Sequence, residues 1–300
     1  MAKKGSDSVP VNMFDFETLM RETVRESVKL LEYFRLSLIY YQLVSGKGLE
    51  FDRIKEYYPG ADPRRIDWKI FAKRGELKIR AFKEERHFDI IIVIDVSDTM
   101  LLGTTTMTKN EYSAIVAGAL TFAAIEASDN VGLVMNSNKV SLAMDPSSDF
   151  AKIMAEVANK ENYGGEKDWN QLLLNLTGNY TEDSIIFIIS DFIDTNPETF
   201  LPELAGYFTK VYGIMVRDPS DNEIPKGVGR MYLQDASGQK MYLTDLDQVR
   251  EEYALLARRQ IDLVRDAFHS YDQLFFEITT LGEFAEEFIK ALGSEEVIIS

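Results

Sequence analysis

The chain has 300 residues, 45% of them hydrophobic, a formal net charge of −16, two histidines and no cysteine. That length supports a large core, the missing cysteine excludes disulfides, thiolate metal sites and cysteine nucleophiles, and the acidic balance argues against nucleic acid as the main partner. His87 and His269 lie far apart in sequence, which leaves little material for a zinc site or a Ser–His–Asp triad, and no run of about 18 apolar residues predicts a membrane span.

Residues 1–13, MAKKGSDSVPVNM, have a charged start and no apolar stretch of the kind a signal peptide needs. They read as a disordered leader, and a cytoplasmic protein is the matching expectation. In 14–34, Leu19, Val24, Val28 and Leu31 recur at helical spacing between charges, which predicts an amphipathic helix. LSLIYYQLV (36–44) reads as a strand. Asp62 as cap, Pro63 in the first turn and Gly75 past the end predict a short helix over 63–74. Arg65, Lys69 and Lys73 form one stripe of that helix, and LKIRAF (77–82) alternates like a strand. Eleven of the 33 Lys and Arg residues fall between Arg53 and Arg86, so this segment presents a distinct basic surface, with Arg64, Arg65 and Lys69 as candidate partner contacts. A solvated helix face beside an edge strand explains the same charges without a partner.

From Phe88 the pattern becomes strand, helix, strand. DIIIVID (89–95) is continuously apolar, as a parallel strand buried on both faces should be. TKNE (108–111) is a capping box that opens a helix to about Ala127. NVGLVMN and KVSLAM read as adjacent strands of a hairpin. Residues 148–160 are helical, YGG (163–165) breaks the chain, and DWNQLLLNL (168–176) is a short helix. SIIFIISD (184–191) is a second buried strand, Asn196 and Pro197 start a helix, and KVYGIMV (210–216) is a third apolar strand. A loop with a short hairpin, RMYLQD and QKMYLT, precedes a charged helix over roughly 246–270. QLFFEIT and LGEFAEEFIKAL supply a last strand and helix. Strands separated by helices imply an α/β fold with a doubly wound, mostly parallel sheet, joined to an N-terminal helix and a small β-containing flanking segment. The expected divisions are a leader at 1–13, an N-terminal helix and flanking segment at 14–87, and the α/β domain at 88–300.

Two of the buried strands end in acids, Asp95 and Asp191. Open α/β sheets place their sites at the carboxyl ends of strands, near the point where strand order reverses. If these strands are neighbours, two carboxylates share one crevice, which is unfavourable without a cation. Ser97 and Thr99 add hydroxyl oxygens from the following loop. Such a set suits Mg²⁺, or Mn²⁺, while Ca²⁺ needs a looser shell. An incomplete shell leaves a position for a partner's carboxylate, so the metal would bind proteins without catalysing anything. The competing reading makes all four ordinary turn and cap residues.

Asp-x-Ser-x-Thr after an apolar strand resembles the metal-ion-dependent adhesion site of von Willebrand factor A-type domains, with Thr99 where Ser is usual. GLEFDRIKEYYPGADPRRIDWKIFAKRGELKIRAFKEER (48–86) is similar to the signature of a prokaryotic family, domain of unknown function fifty-eight, which joins such a segment to a von Willebrand A-like domain. The matching residues are Tyr58, Pro59, Gly60, Asp62, Arg65, Ile66, Asp67, Trp68, Arg74 and Gly75. DNVGLVMNSNKV and IIFIISDFID also resemble that family. The resemblance implies a von Willebrand A or Rossmann-like fold and a role beside MoxR-type AAA+ ATPases, as an adaptor in chaperone-like or metal-insertion assemblies. It also implies a Thr on a Gly-Gly-Thr loop. Here the loop reads GGEKDW, with Glu166 or Lys167 in that place and Asp168 next. A lysine there would displace the cation and leave the metal site empty, whereas Glu166 or Asp168 would ligate it.

The leading expectation is therefore a non-enzymatic interaction module whose metal ligands are Asp95, Ser97, Thr99 and Asp191, with Glu166 or Asp168. One alternative is a haloacid-dehalogenase-like Mg²⁺-dependent phosphotransferase with Asp95 as nucleophile. That chemistry wants an acid two residues on, where this chain has Ser97, and Asp98 falls on the opposite side of an extended strand. The other alternative is a metal-free scaffold. No phosphate-binding loop is present, since SGKG lacks the required spacing.

Overall fold

The computed structural model describes residues 12–33, 54–56, 78–80, 88–234, 241–288 and 290. The expected strand at 36–44, the helix at 63–74, the Asp67–Trp68 pair and the basic contacts Arg64, Arg65 and Lys69 lie outside the described residues, as does the leader up to residue 11. The chain divides into two compact units, one formed by 34–87 and the other by the remainder. In the first, β1 (Ile54–Glu56) pairs antiparallel with β2 (Lys78–Arg80), Ile54 standing opposite Arg80.

The larger unit is built on β3 (Asp89–Asp95), β4 (Asn130–Asn136), β5 (Ser141–Ser147), β6 (Ile185–Ser190), β7 (Lys210–Arg217) and β10 (Leu274–Thr279). Their order is β10-β7-β6-β3-β4-β5, parallel throughout except for the edge strand β5, which runs antiparallel to β4. This is a Rossmann-like α/β sheet. The chain first builds outward from β3 through β4 to β5, then returns to the other side of β3 with β6. The β3/β6 boundary is thus the point where strand order reverses, and strands buried on both faces explain the unbroken Ile/Val runs there.

Helices α2 (Lys109–Glu126), α3 (Phe150–Ala158), α4 (Trp169–Asn179), α5 (Leu201–Tyr207), α6 (Pro219–Asn222) and α7 (Leu246–Ser270) connect or cover the strands. β8 (Arg230–Gln234) and β9 (Met241–Asp245) form a separate antiparallel hairpin inserted between β7 and α7. One core cluster lies between the sheet and α4, α5 and α7, and contains Phe192, Phe200, Phe208, Phe268 and Phe275. Among the described residues no helix is long and apolar enough to cross a membrane.

Helix α1 (Phe16–Tyr33) belongs to the same unit as the sheet, not with the 34–87 segment to which the sequence reading joins it. Its buried face also differs from the expected one. Leu19, Thr23, Glu26 and Ser27 are buried, while Val24 and Val28 are 44% and 45% exposed. The reason lies on α2, whose Ala- and Gly-rich surface allows close approach: a Cβ on Gly118 would stand 2.7 Å from Thr23 Oγ1. A small hydroxyl fits that contact and a longer apolar side chain does not. The end of the expected leader is also ordered, for Met13 is buried, Asn12 donates to Glu111 Oε2 at 3.2 Å, and Asn110 donates to the Asn12 carbonyl at 2.7 Å.

Candidate functional site

The carboxyl ends of β3 and β6 meet at the reversal point and bring Asp95 and Asp191 to one crevice. Each acid first serves its own turn. Asp95 Oδ1 accepts from Ser97 N at 2.9 Å, and Asp191 Oδ1 from Ile193 N at 3.0 Å. These are side-chain-closed turns of the kind Asp favours. The turn role and the crevice role therefore coexist in the same residues. Ser190 Oγ donates to Asp95 Oδ2 at 2.6 Å and accepts from Phe192 N at 2.9 Å, which ties the two strand ends together. Phe192 takes the left-handed conformation, φ +49°, a placement that strains a bulky side chain by about 1–2 kcal/mol. Its ring is fully buried, stacked 5.7 Å from Trp169 and edge-on to Phe268, so core packing holds the turn that aims Asp191 inward.

The loop before α4 completes the crevice. Gly164 and Gly165 have φ of +112° and +100°, and a Cβ on Gly165 would fall 2.5 Å from Asn138 Oδ1. Only glycine passes there. Gly164 N donates to the Val96 carbonyl at 2.7 Å and Gly165 N to Asp98 Oδ1 at 2.8 Å, while Ser137 Oγ donates to the Gly164 carbonyl at 2.6 Å. Asp98, the acid that falls one residue late for phosphotransferase chemistry, thus fastens this loop.

So anchored, the loop delivers Lys167 into the crevice. Its Nζ lies 2.9 Å from Asp191 Oδ1, 2.5 Å from Thr99 Oγ1 and 3.6 Å from Asp95 Oδ2. Three of the four expected core ligands converge on one point, and that point is an ammonium nitrogen. The fourth, Ser97, reaches it through Thr99: its Oγ lies 3.2 Å from Thr99 Oγ1. As arranged, these residues do not fit a bound Mg²⁺, which needs oxygens at about 2.0–2.1 Å in a near-octahedral shell. The two auxiliary acids are placed elsewhere. Asp168 Oδ1 caps α4 by accepting from Gln171 N at 2.9 Å, and Glu166 is exposed, its backbone N–H bonded to Asn138 Oδ1 at 2.9 Å. Among the described residues no group of three or more His, Cys, Asp or Glu side chains is arranged to hold a metal.

A second lysine backs the first. Lys109, the first residue of α2, is 1% exposed. Its Nζ donates to Asp191 Oδ2 at 2.8 Å and to Asp221 Oδ2 at 3.0 Å. Asp221 also accepts from Asp218 N at 2.9 Å, and Asp218 accepts from Thr104 N at 2.8 Å and from Thr104 Oγ1 at 2.5 Å. One network therefore runs from Asp95 through Lys167, Asp191, Lys109 and Asp221 to Asp218, and joins the carboxyl ends of β3, β6 and β7. Its electrostatics are those of buried ion pairs. Burial alone would raise Asp191, but the ammoniums of Lys167 and then Lys109 outweigh it and hold the carboxyl well below the usual range. Burial alone would lower both lysines, but Asp95 and Asp191 hold Lys167 above its ordinary value, and Asp191 and Asp221 do the same for Lys109. Hydrogen bonds from Ser220 and Thr104 outweigh burial at Asp218 and lower it to about 2.

The motifs that mark Asp95 and Asp191 do not mark Lys109, Ser190, Asp218 or Asp221. Two signals were there to read. A lysine in the first helical turn opposes the helix dipole and so asks for an anionic partner. Asp218-Pro-Ser-Asp221 is a capping pattern, and both of its reciprocal bonds form.

The same edge of the sheet carries a second feature. α7 has 25 residues and is about 37 Å long, against about 20 Å for the six residues of β6. From Ile261 onward its buried residues pack on the sheet, whereas between Leu246 and Ile261 no residue is buried. The earlier half therefore runs out past the strand ends beside the β8–β9 hairpin. That overhang exposes Tyr232 (67%), Met241 (62%), Tyr242 (57%) and Leu243 (59%) on the hairpin, and Leu255 and Leu256 on the helix.

Residues 53–262 match the family described as Protein of unknown function DUF58. The chain belongs to that family. The uncharacterized protein Mb1516 of Mycobacterium bovis is 25% identical over 224 residues, which cover 72% of this chain and 69% of the relative. The uncharacterized protein Rv1480 of Mycobacterium tuberculosis matches to the same extent. An aerotolerance-related membrane protein from Bacteroides fragilis overlaps 69% of this chain and 99% of its own at 12% identity and a TM-score of 0.44. The PilB minor pilin from Streptococcus sanguinis overlaps 74% of this chain and 64% of its own at 13% identity and a TM-score of 0.36.

Proposed function

We propose that this DUF58 chain is a non-enzymatic protein-interaction module of the von Willebrand A-like type, an adaptor for a MoxR-type AAA+ ATPase with a chaperone-like or assembly role in the cytoplasm. The observation that carries the reading is the character of the carboxyl edge. Where an α/β enzyme would hold substrate, the crevice is filled by the chain's own ammonium groups. The void between Asp95, Asn136, Lys167 and Trp169 is about 10 Å³, room for one water at most. Beside it the overhang exposes large apolar side chains in succession, the feature by which protein-docking surfaces differ from ordinary surface. The family resemblance supplies the class of partner.

The test is calorimetric titration of the purified chain with the MoxR-type ATPase of its own cell, in EDTA. Binding should persist in EDTA and weaken at least about tenfold, about 1.4 kcal/mol, when Tyr242→Asp and Leu243→Asp are combined. The phosphotransferase alternative makes the opposite prediction: Mg²⁺-dependent phosphate release from an aryl phosphate, abolished by Asp95→Asn. That release, or no binding to the ATPase, would overturn the proposal.

A further inference from the structure

We propose that Lys167 is the permanent cation of the β3/β6 crevice, so that this site works without a divalent metal, and that removing the one ammonium group converts it into a metal site. The argument starts from what two facing carboxylates require. Asp95 and Asp191 are 6% and 0% exposed at adjacent strand ends, and the Thr99 hydroxyl meets the same Lys167 Nζ as they do. Such an oxygen cradle needs positive charge. Three of its oxygens already contact Lys167 Nζ, at 2.9, 2.5 and 3.6 Å. An ammonium and a hydrated divalent ion cannot share that position.

Three features show that the lysine is built in. The Gly164–Gly165 turn that delivers it is fixed by backbone bonds to Val96 and by the Asp98 carboxylate. The Lys167 side chain is only 12% exposed, so the ammonium is not a surface group folded over the site. Lys109 neutralises the far oxygen of Asp191, at 2.8 Å, so the acid that would anchor a metal is already paired on both oxygens. A divalent ion entering here would have to expel one buried ammonium and stand near another, against their mutual repulsion in a poorly solvated site. With no open coordination position, the crevice cannot capture a partner's carboxylate through a metal. Recognition then falls to the rest of the edge. This assignment concerns the isolated chain and stands whether or not the adaptor reading holds.

The experiment is a Mn²⁺ titration of the full chain, stripped with EDTA and dialysed, with free Mn²⁺ followed by electron paramagnetic resonance and thermal stability by calorimetry. The wild type should show no saturable site attributable to Asp95, and its Tm should be the same in EDTA and in Mn²⁺. Lys167→Thr should gain one site per chain, at least about tenfold tighter than any wild-type binding, with a Mn²⁺-dependent rise in Tm. Asp95→Asn added to Lys167→Thr should abolish both. A wild-type site that Asp95→Asn removes would overturn the proposal, as would a folded Lys167→Thr chain that gains none. If Lys167→Thr does not fold, reductive methylation of the wild type decides instead. Lys167 should react far more slowly than the surface lysines with or without Mn²⁺, and equal reactivity would overturn the assignment.

Discussion

The crevice and the overhang occupy the same edge of one sheet and handle polarity in opposite ways. In the crevice the charged groups are inside: Lys109, Asp191 and Asp95 are buried, and each is paired. On the overhang the apolar groups are outside, with Tyr232, Met241, Tyr242 and Leu243 each more than half exposed. Buried ion networks give little net stability, because desolvation offsets their attraction, but they fix geometry since any unpaired member is strongly penalised. Exposed apolar residues do the reverse. They add little to the fold and leave surface free to be buried by another molecule. The contrast assigns rigidity to the crevice and, on the adaptor reading proposed above, leaves recognition to the overhang.

The hardest way to break the comparison is to unpair the crevice. Lys109→Ala leaves Asp191 and Asp221 without their shared cation and should destabilise the fold by about 3–5 kcal/mol, read from denaturant or thermal unfolding. Adding Asp191→Asn should restore part of that loss. Acid should reveal the same network. Asp191 and Asp218 are both lowered in the folded chain. A carboxyl lowered on folding contributes stability above its unfolded value, about 3.9, and loses it as pH falls toward the folded one. Tm should thus be flat down to about pH 5 and decline steeply below about pH 4, more shallowly in Asp191→Asn. Smaller in stability, but decisive for the proposed docking of a partner, is Leu243→Asp. Partner affinity should fall at least about tenfold in calorimetry while unfolding stability changes by no more than about 0.5 kcal/mol. The most local effect belongs to the loop that carries the lysine. Asp168→Ala removes a helix cap and should lower stability by about 1 kcal/mol. It should leave the metal insensitivity of the crevice unchanged, whereas a ligand role for Asp168 would alter it.

Much of this was legible in the sequence, for reasons specific to each part. The runs DIIIVID and IIFIIS announce strands buried on both faces, and their terminal acids fall where an α/β sheet places its sites. Thr108 and Glu111 mark the start of α2 through a local bond pattern that needs no tertiary context. GGEKDW offers Glu166 or Lys167 where the family resemblance implies a ligand threonine, and only the structure decides for the lysine. The partner of Lys109 was not legible, because it depends on Asp191, which is 82 residues away, and on Asp221 at 112. The face of α1 was misread for a related reason. Val24 and Val28 look like core by spacing, but the small residues of α2 select Thr23 and Ser27. Local pattern thus locates acids and caps, whereas charge pairing and helix-to-helix fit are set by residues far away in the chain.

The most direct measurement of the central claim is an anomalous-difference map from crystals of the wild-type chain soaked in MnCl₂. The account predicts no peak between Asp95 and Asp191, and density for the Lys167 ammonium within hydrogen-bonding reach of Asp191 and Thr99. A manganese peak at about 2.2 Å from both carboxylates, with Lys167 turned out to solvent, would contradict it.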